Sequence, residues 1–217
     1  MGYKPASEIK CLSCTMLRHG GSQPRNDEGA SHFARRGKNA EAFLIMRGCM
    51  ERIAEFQKVS FEQFAKAMRD TFGESAELER VYAEIALPRR ATAGSAGYDF
   101  RSTVSVRLAP GETVVIPTGI RARIDAGWAL LLFPRSGLGF RYRLQLNNTV
   151  GVVDSDYYDS DNEGHIFIKM TNDSNEGKTC VIERGTAFAQ GIFMPFGITA
   201  DDEAQEIRNG GFGSTSR

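Results

Sequence analysis

The feature that most constrains this chain is a change to two-residue hydrophobic periodicity after Leu87. Short apolar runs, separated by Gly, Pro, Asn and Asp, occupy residues 103–108, 113–117, 119–124, 129–133, 143–146, 150–153, 166–171, 179–182 and 188–194. Short strands at this spacing are typical of an antiparallel sandwich or jelly roll, whereas a βαβ sheet needs helix-length segments between its strands. We therefore predict a mainly β domain.

Two amphipathic helices are predicted before this β region. Ser60 and Gln63 form a capping box, in which each side chain can bond the backbone amide of the other residue. Apolar residues follow at helical spacing as far as Gly73, and Ser75 can cap a second helix that ends before Pro88. Residues 50–85 are therefore predicted to be a short helical preface.

The composition argues against several classes of partner. Lys plus Arg and Asp plus Glu number 27 each, so no overall field attracts nucleic acid. No apolar run reaches the ~18 residues of a membrane-spanning helix, and the N-terminus lacks the apolar core of a secretory signal. We expect a cytoplasmic protein with no membrane and no nucleic-acid partner.

Residues 1–48 contain few large apolar groups and are predicted to be a disordered extension of unknown role. Cys11 and Cys14, with His19 and His32, offer a superficial set of zinc ligands, but the histidine spacing does not suit a zinc finger. We favour incidental thiols in a tail. Cys49 and Cys180 are interpreted as structural thiols.

Glycine is abundant, at 23 of 217 residues, and in the β region it gathers in five polar islands at residues 96–100, 134–139, 148–157, 184–191 and 208–215. Arg135-Ser136-Gly137 can bring a guanidinium, a hydroxyl and backbone amides to one phosphate. If residues 154–156 form a strand, Asp154 and Asp156 share a face. The Gly-Gly-Phe-Gly-Ser-Thr run at residues 210–215 is typical of a phosphate-binding flap that carries one aromatic ring.

Together and in this order, the five islands closely resemble the five motifs of the homotrimeric dUTP pyrophosphatases (dUTPases). The resemblance covers residues 86–217, and the helical preface resembles a variant found in clostridial-type members. It implies a distorted antiparallel jelly roll (a dUTPase-like β-clip) over residues 86–198 and a mobile C-terminal arm over 199–217. It also implies a homotrimer with shared active sites that hydrolyses dUTP to dUMP and pyrophosphate with Mg²⁺.

The resemblance also implies roles for individual residues in the chemistry. Asp154 matches the base that activates the attacking water, and Asp99 matches the acid that touches Mg²⁺ through a bound water. The phosphate-binding residues that it implies are Arg135, Ser136, Gly137, Gln190, Arg208, Gly213, Ser214 and Thr215.

Recognition of the nucleoside is implied in the same way. Asn148 and the hairpin backbone at Gly151, Val152 and Val153 match the groups that read uracil. Tyr157 matches the ring that stacks under deoxyribose, and Phe212 matches the ring that covers uracil.

This chain departs from the family pattern at two places within the motifs. Only Asn209 separates Arg208 from the Gly-Gly pair, where the family usually has two residues. Residues 158–163 are inserted after Tyr157, and we interpret them as a solvated hairpin near the mouth of the site.

Two alternatives to a working dUTPase remain open from the residues. One is a dUTPase-like nucleotide-binding or regulatory protein without turnover. The other is a dCTP deaminase relative on the same fold, although that enzyme needs a different acid–base arrangement.

Overall fold

Antiparallel strand pairing organises residues 51–204, the part of the chain that the computed structural model describes. In order, its elements are β1 Ala54–Lys58, α1 Phe61–Phe72, α2 Leu78–Glu84, β2 Arg89–Arg90, β3 Tyr98–Arg101, β4 Val106–Leu108, β5 Thr113–Pro117, β6 Ile120–Ile124, β7 Trp128–Pro134, α3 Ser136–Tyr142, β8 Leu144–Leu146, β9 Gly151–Val153, a 3₁₀ helix at Ser155–Asp159, β10 Phe167–Asn172, β11 Cys180–Ile182 and β12 Ala187–Pro195. The predicted mainly β fold is confirmed.

The strands of the described residues form two larger sheets and two strand pairs. The larger sheets have the orders β2-β3-β12-β7-β9 and β5-β10-β8, and the pairs are β1-β6 and β11-β4. Sequence neighbours such as β7 and β8 lie in different sheets, so the chain crosses repeatedly from one layer to the other. This arrangement is consistent with a jelly roll.

The core lies between these sheets and follows from the two-residue alternation. Ile168 and Met170 of β10 are buried and pair in register with Ile116 and Val114 of β5. The other sheet contributes buried residues that include Phe100, Leu130, Leu132 and Phe188 to the same cluster. The Cys180 thiol is also fully buried, as expected for a structural cysteine, and burial raises its pKa.

The first predicted helix, α1, has the expected apolar face and begins at the expected residue. The Ser60 hydroxyl accepts a hydrogen bond from the Gln63 amide, and Phe64, Ala65 and Met68 are buried. These residues pack with Leu78 and Val81 of α2 in a second, smaller core. The Ser75 prediction is wrong, because α2 begins after Glu77 without a side-chain cap, and the Ser75 hydroxyl only accepts from the Glu77 amide.

Strand β1 is not predicted by the sequence pattern, and it changes the interpretation of the preface. It pairs along its length with β6, from Ala54 opposite Ile124 to Lys58 opposite Ile120. The segment before α1 therefore adds a strand to the β domain instead of being only helical.

Two expectations about residues 154–163 are wrong. Asp154 and Asp156 do not lie on a strand, because Ser155–Asp159 form a 3₁₀ helix with Asp154 as its N-cap. The insertion at residues 158–163 is packed rather than solvated, since Tyr158 and Ser160 are only 7% and 5% exposed. The Tyr158 hydroxyl donates to Gln57 Oε1 in β1, and the Arg121 guanidinium lies 3.6 Å from the centre of its ring.

None of the helices in residues 51–204 is long and apolar enough to cross a membrane. The predicted extension at residues 1–48, with the CxxC thiols Cys11 and Cys14, lies outside the described residues, as does Cys49.

Candidate functional site

The predicted magnesium-contacting acid Asp99 and the predicted phosphate-binding residues Arg135 and Gln190 come together on the five-stranded sheet, and we call these three residues the Arg135 cluster. Asp99 in β3 pairs in register with Gln190 in β12. Arg135 follows the end of β7, and its guanidinium lies 3.5 Å from Asp99 Oδ2. Gln190 Nε2 donates to the carbonyl of Pro134, at 3.5 Å. Three separate strands thus place a carboxylate, a guanidinium and an amide side by side.

Gly97 leaves the space that Gln190 occupies. A Cβ atom at Gly97 would lie 2.5 Å from Gln190 Oε1, closer than such atoms approach in proteins. Ser136 and Gly137 follow Arg135 and are exposed at the start of α3, and a Cβ at Gly137 would meet nothing within 4 Å. The backbone of Gly137 is therefore open to a ligand, and the Arg135 cluster beside it offers charge and hydrogen-bond donors suited to phosphate oxygens.

The described residues hold no group of three or more His, Cys, Asp or Glu side chains that could bind a metal ion. The Asp99 carboxylate is partly exposed beside Arg135. One carboxylate of this kind fits Mg²⁺, because that ion usually keeps several waters and binds mainly to substrate phosphates. It does not fit a metal held by protein ligands alone.

A cavity of about 390 Å³ lies beside the turn that joins β8 to β9. Its lining residues are Val115, Leu132, Leu146, Asn147, Asn148, Gly151, Asn162, Phe167 and Lys169. The predicted uracil residues Asn148 and Gly151 are among them, on the turn that joins β8 to β9. Apolar walls with a few convergent amide groups are typical of small-molecule sites.

The turn and strand next to this cavity are built to expose backbone groups. Thr149 has a left-handed φ of 65°, and the Val150 amide donates to the Asn148 carbonyl at 2.6 Å. Strand β9 is the edge of its sheet and pairs with β7 through Val152 and Val153. Among the described strands, β9 has no partner on its other side, so its backbone can hydrogen-bond a ligand.

Asp154 and Arg135 lie at opposite ends of β7. Val153 pairs with Leu130 in antiparallel register, so the next residue, Asp154, lies beside Ala129 near the start of β7. Arg135 comes directly after Pro134, the last residue of β7. Arg135 is six steps along the chain from Ala129, which is roughly 20 Å at ~3.3 Å per residue. Asp154 is half-buried at the start of the 3₁₀ helix and is not part of the Arg135 cluster.

Tyr157 is buried, at 3% exposure, and does not line the cavity. Its hydroxyl donates to the His165 carbonyl and accepts from Asn162 Nδ2, both at 2.8 Å. Asn162 does line the cavity, and the sequence reasoning missed it. It lies in the insertion, where no spacing or composition signals a contact with Tyr157.

Two titratable groups beside Asn162 have shifted pKa values. Burial lowers the pKa of His165 to about 4; its Nε2 accepts from the Gly119 amide at 2.8 Å, and its Nδ1 is buried without a hydrogen-bond partner. Burial acts to raise the pKa of Glu163, but hydrogen bonds from Ser60 and the charge of Arg121 outweigh it and lower that pKa. At neutral pH Glu163 is therefore charged and His165 is neutral.

The predicted arm residues lie outside the described part of the chain. They are Arg208, Phe212, Gly213, Ser214 and Thr215.

Comparisons with known proteins match the β region as a whole. A family model described as dUTPase matches residues 83–216. The deoxyuridine 5'-triphosphate nucleotidohydrolase of Lactococcus lactis is 48% identical over 136 residues, which cover 61% of this chain and 89% of that protein. The enzyme of the same name from Tolumonas auensis is 42% identical over 146 residues, which cover 64% of this chain and 92% of that protein.

A solved structure shares the fold. The dUTPase of phage phi11 of S. aureus, described with a structural Mg(II) ion, has a TM-score of 0.50 and 21% identity to this chain. The match covers 71% of this chain and 98% of the phage protein.

Proposed function

This chain belongs to the dUTPase family, and we propose that it hydrolyses dUTP to dUMP and pyrophosphate in active sites shared between the subunits of a homotrimer. This reaction keeps uracil out of DNA and supplies dUMP for thymidylate synthesis. The observation that carries the proposal is the family match over residues 83–216, which spans both the Arg135 cluster and Asp154. A cytoplasmic location remains a prediction.

Asp154 is the general base of this proposal. Its carboxylate takes a proton from a water whose oxygen bonds to the α-phosphorus, and the bond from that phosphorus to the oxygen bridging to the β-phosphate breaks. The products are dUMP and pyrophosphate. The half-buried position of Asp154 beside the backbone edge of β9 supports this role, because the base-binding and proton-accepting groups are then neighbours in the chain.

The Arg135 cluster binds the triphosphate, with Ser136 and the open backbone at Gly137. Arg135 stabilises negative charge that develops on the phosphate oxygens, and Gln190 orients them. Mg²⁺, when bound, would neutralise phosphate charge, with Asp99 holding one of its waters. The arm residues Arg208, Phe212, Gly213, Ser214 and Thr215 complete this site in the proposal.

The cavity beside β9 takes the nucleoside. Asn148 and the backbone at Gly151, Val152 and Val153 hydrogen-bond the edge of uracil. The free edge of β9 supports this assignment, since unpaired backbone donors and acceptors can distinguish uracil from cytosine by their pattern. The buried ring of Tyr157 lies outside the cavity lining, so the sugar contact that the motif resemblance implies for it is not part of the proposal.

The separation of Asp154 from Arg135 supports sharing of the site between subunits. Both residues must act on one triphosphate, yet β7 holds them roughly 20 Å apart in one chain. A second subunit that places its Arg135 cluster against the Asp154 of the first resolves this separation.

Release of pyrophosphate from dUTP, dCTP, dTTP and UTP, measured in parallel, tests the proposal. We expect rapid release from dUTP and far slower release from the other three nucleotides. Ammonia release from dCTP would instead indicate the deaminase alternative, which the curated nucleotidohydrolase relatives do not favour. Tight binding of dUTP without turnover would indicate the regulatory alternative.

A further inference from the structure

Helix α3 presents its phenylalanine to solvent. Phe140 is 94% exposed, and no residue of this seven-residue helix is buried. Arg141 follows Phe140 and is exposed as well. A helix this short is marginal in water unless it packs against another surface. Phe140 and Arg141, which we call the α3 patch, therefore form an apolar and cationic surface that the rest of the chain does not cover.

A second exposed apolar surface lies at the end of strand β12 and just beyond it. Met194 and Phe196 are about half exposed, and Ile198 is 74% exposed. The acidic residues 201–203 follow and are all exposed. We call these three apolar residues and the acidic run together the C-terminal patch. Exposed apolar side chains that are grouped in this way are typical of a protein–protein contact.

Each patch lies beside one half of the proposed shared site. Met194 pairs with Ala129 of β7, and Asp154 lies on the other side of the same residue, so Met194 and Asp154 are two strand spacings apart, or roughly 10 Å. Phe140 is five residues after Arg135, which is roughly 8 Å along a helix. An arrangement that brings Arg135 of one subunit to Asp154 of the next therefore also brings the α3 patch close to the next subunit's C-terminal patch.

The two patches are complementary in chemistry. Both offer apolar surface that gains free energy when it leaves water. The α3 patch carries the positive charge of Arg141, whereas residues 201–203 of the C-terminal patch are negative, so unlike patches attract each other and like patches repel. A contact between unlike patches is the head-to-tail kind that can close a ring of identical subunits.

We propose that the α3 patch packs against the C-terminal patch of a second copy of this chain, and that this contact supports the turn that carries Arg135 and Ser136. The inference rests on the proposed function, which requires a site shared between subunits. Because α3 buries no residue within its own chain, the second copy supplies the surface that holds the helix in place. Assembly thus completes the phosphate-binding turn.

The test measures the assembly of Phe140→Glu and Ile198→Lys. Each change replaces an exposed apolar side chain by a charge of the same sign as the facing patch, so the fold should be retained while association is weakened. Sedimentation equilibrium should show association weakened about tenfold or more in each variant, with a parallel loss of dUTP turnover in dilute solution. Phe72→Glu, at an exposed aromatic residue of α1 outside both patches, is the control and should change neither property.

A double variant tests whether the two patches meet each other. In a chain with both Phe140→Glu and Ile198→Lys, opposite charges face each other at every contact, so the double variant should associate more tightly than either single variant. Losses that simply multiply would overturn the proposal, as would an intact trimer in either single variant that circular dichroism shows to be folded. If one single variant does not fold, the other still tests the same contact.

Assembly and turnover fail separately. A wild-type trimer that released no pyrophosphate from dUTP would overturn the proposed function, while its dissociation in Phe140→Glu would still support the contact. An active wild-type trimer whose assembly Phe140→Glu does not change would overturn the contact alone. A wild-type monomer that hydrolyses dUTP would overturn both the contact and the shared site.

Discussion

The carboxylate of Glu163 accepts hydrogen bonds from both the amide and the hydroxyl of Ser60, although 103 residues separate them in the chain. In a local capping box, Gln63 would reach back to the Ser60 amide. Here Glu163 takes that place and adds a charge at the N-terminus of α1, where the helix dipole favours an anion. The cap of the first helix therefore also fastens the insertion beside the nucleoside cavity.

Ser60→Ala should lower the free energy of unfolding by about 1–2 kcal/mol, because it removes a helix cap and a hydrogen bond to a charged group. Chemical denaturation measures the change, and Ser75→Ala is the matched control. Ser75 does not cap α2, so its replacement should cost less than about 0.5 kcal/mol. Equal effects of the two changes would contradict the role of Ser60.

The same pair should be coupled energetically. In a double-mutant cycle, the loss of unfolding free energy in the double variant Ser60→Ala, Glu163→Gln should be smaller than the sum of the two single losses by about 1 kcal/mol or more. Independent effects would show that the contact contributes little in solution.

The pH dependence of stability should report on His165. Burial lowers its pKa from the ordinary histidine value of 6.5 to about 4 in the folded protein, so the fold favours the neutral ring. The stabilisation is therefore complete above pH 6.5 and is lost as the pH falls towards 4. Each pH unit in this range removes about 1.4 kcal/mol, which predicts a loss of about 2 kcal/mol between pH 7.5 and pH 5.

Urea unfolding across this range measures the slope, and His165→Gln should remove most of it. The other two histidines, His19 and His32, provide the control. Their joint replacement by Gln should leave the slope in place. Persistence of the slope in His165→Gln would assign it to other groups.

Gly97→Ala should impair catalysis more than stability. The new Cβ would meet the end of the Gln190 side chain, which can move away at little cost to the fold but then leaves the Arg135 cluster. We expect kcat/KM for dUTP to fall by about tenfold, with the free energy of unfolding lowered by no more than about 1 kcal/mol. Gly94→Ala is the control, because nothing lies within 4 Å of a Cβ there. Equal activities of the two variants would argue against a role for Gln190.

Most of the strands could be predicted from sequence because they alternate between a buried and an exposed face. β5 has the predicted bounds, Thr113–Pro117, since Val114 and Ile116 point into the core. The pattern gives no such signal for β2, which has two arginines, or for α3, which has no buried residue. Tertiary pairing determines the first of these elements, and local turn geometry determines the second.

The candidate site was predictable only in part, for a similar reason. The grouping of Asp99, Arg135 and Gln190 agrees with the motif resemblance, because each residue belongs to a recognisable island and strand pairing brings the islands together. Asn162 and Glu163 act through contacts made by an inserted segment with distant residues. Such contacts depend on the tertiary position of the inserted segment, and neither composition nor residue spacing specifies that position.

The position of Asp154 and Arg135 at opposite ends of β7 makes a prediction about assembly. Asp154→Asn removes the proposed base and Arg135→Ala removes the main phosphate-binding charge, so each variant alone should lose at least ~99% of turnover. If one site takes Asp154 from one subunit and Arg135 from another, each variant retains what the other lacks. Both variants should still form trimers.

Equal amounts of the two variants, unfolded together and refolded, should therefore recover activity that neither has alone. With random assortment, a site receives an intact Asp154 half of the time and an intact Arg135 half of the time, so about a quarter of the sites are complete. Pyrophosphate release measures the recovery, native mass spectrometry confirms mixed trimers, and each variant refolded alone is the control. Mixed trimers without activity would mean that both residues must come from one chain, which the roughly 20 Å separation along β7 argues against.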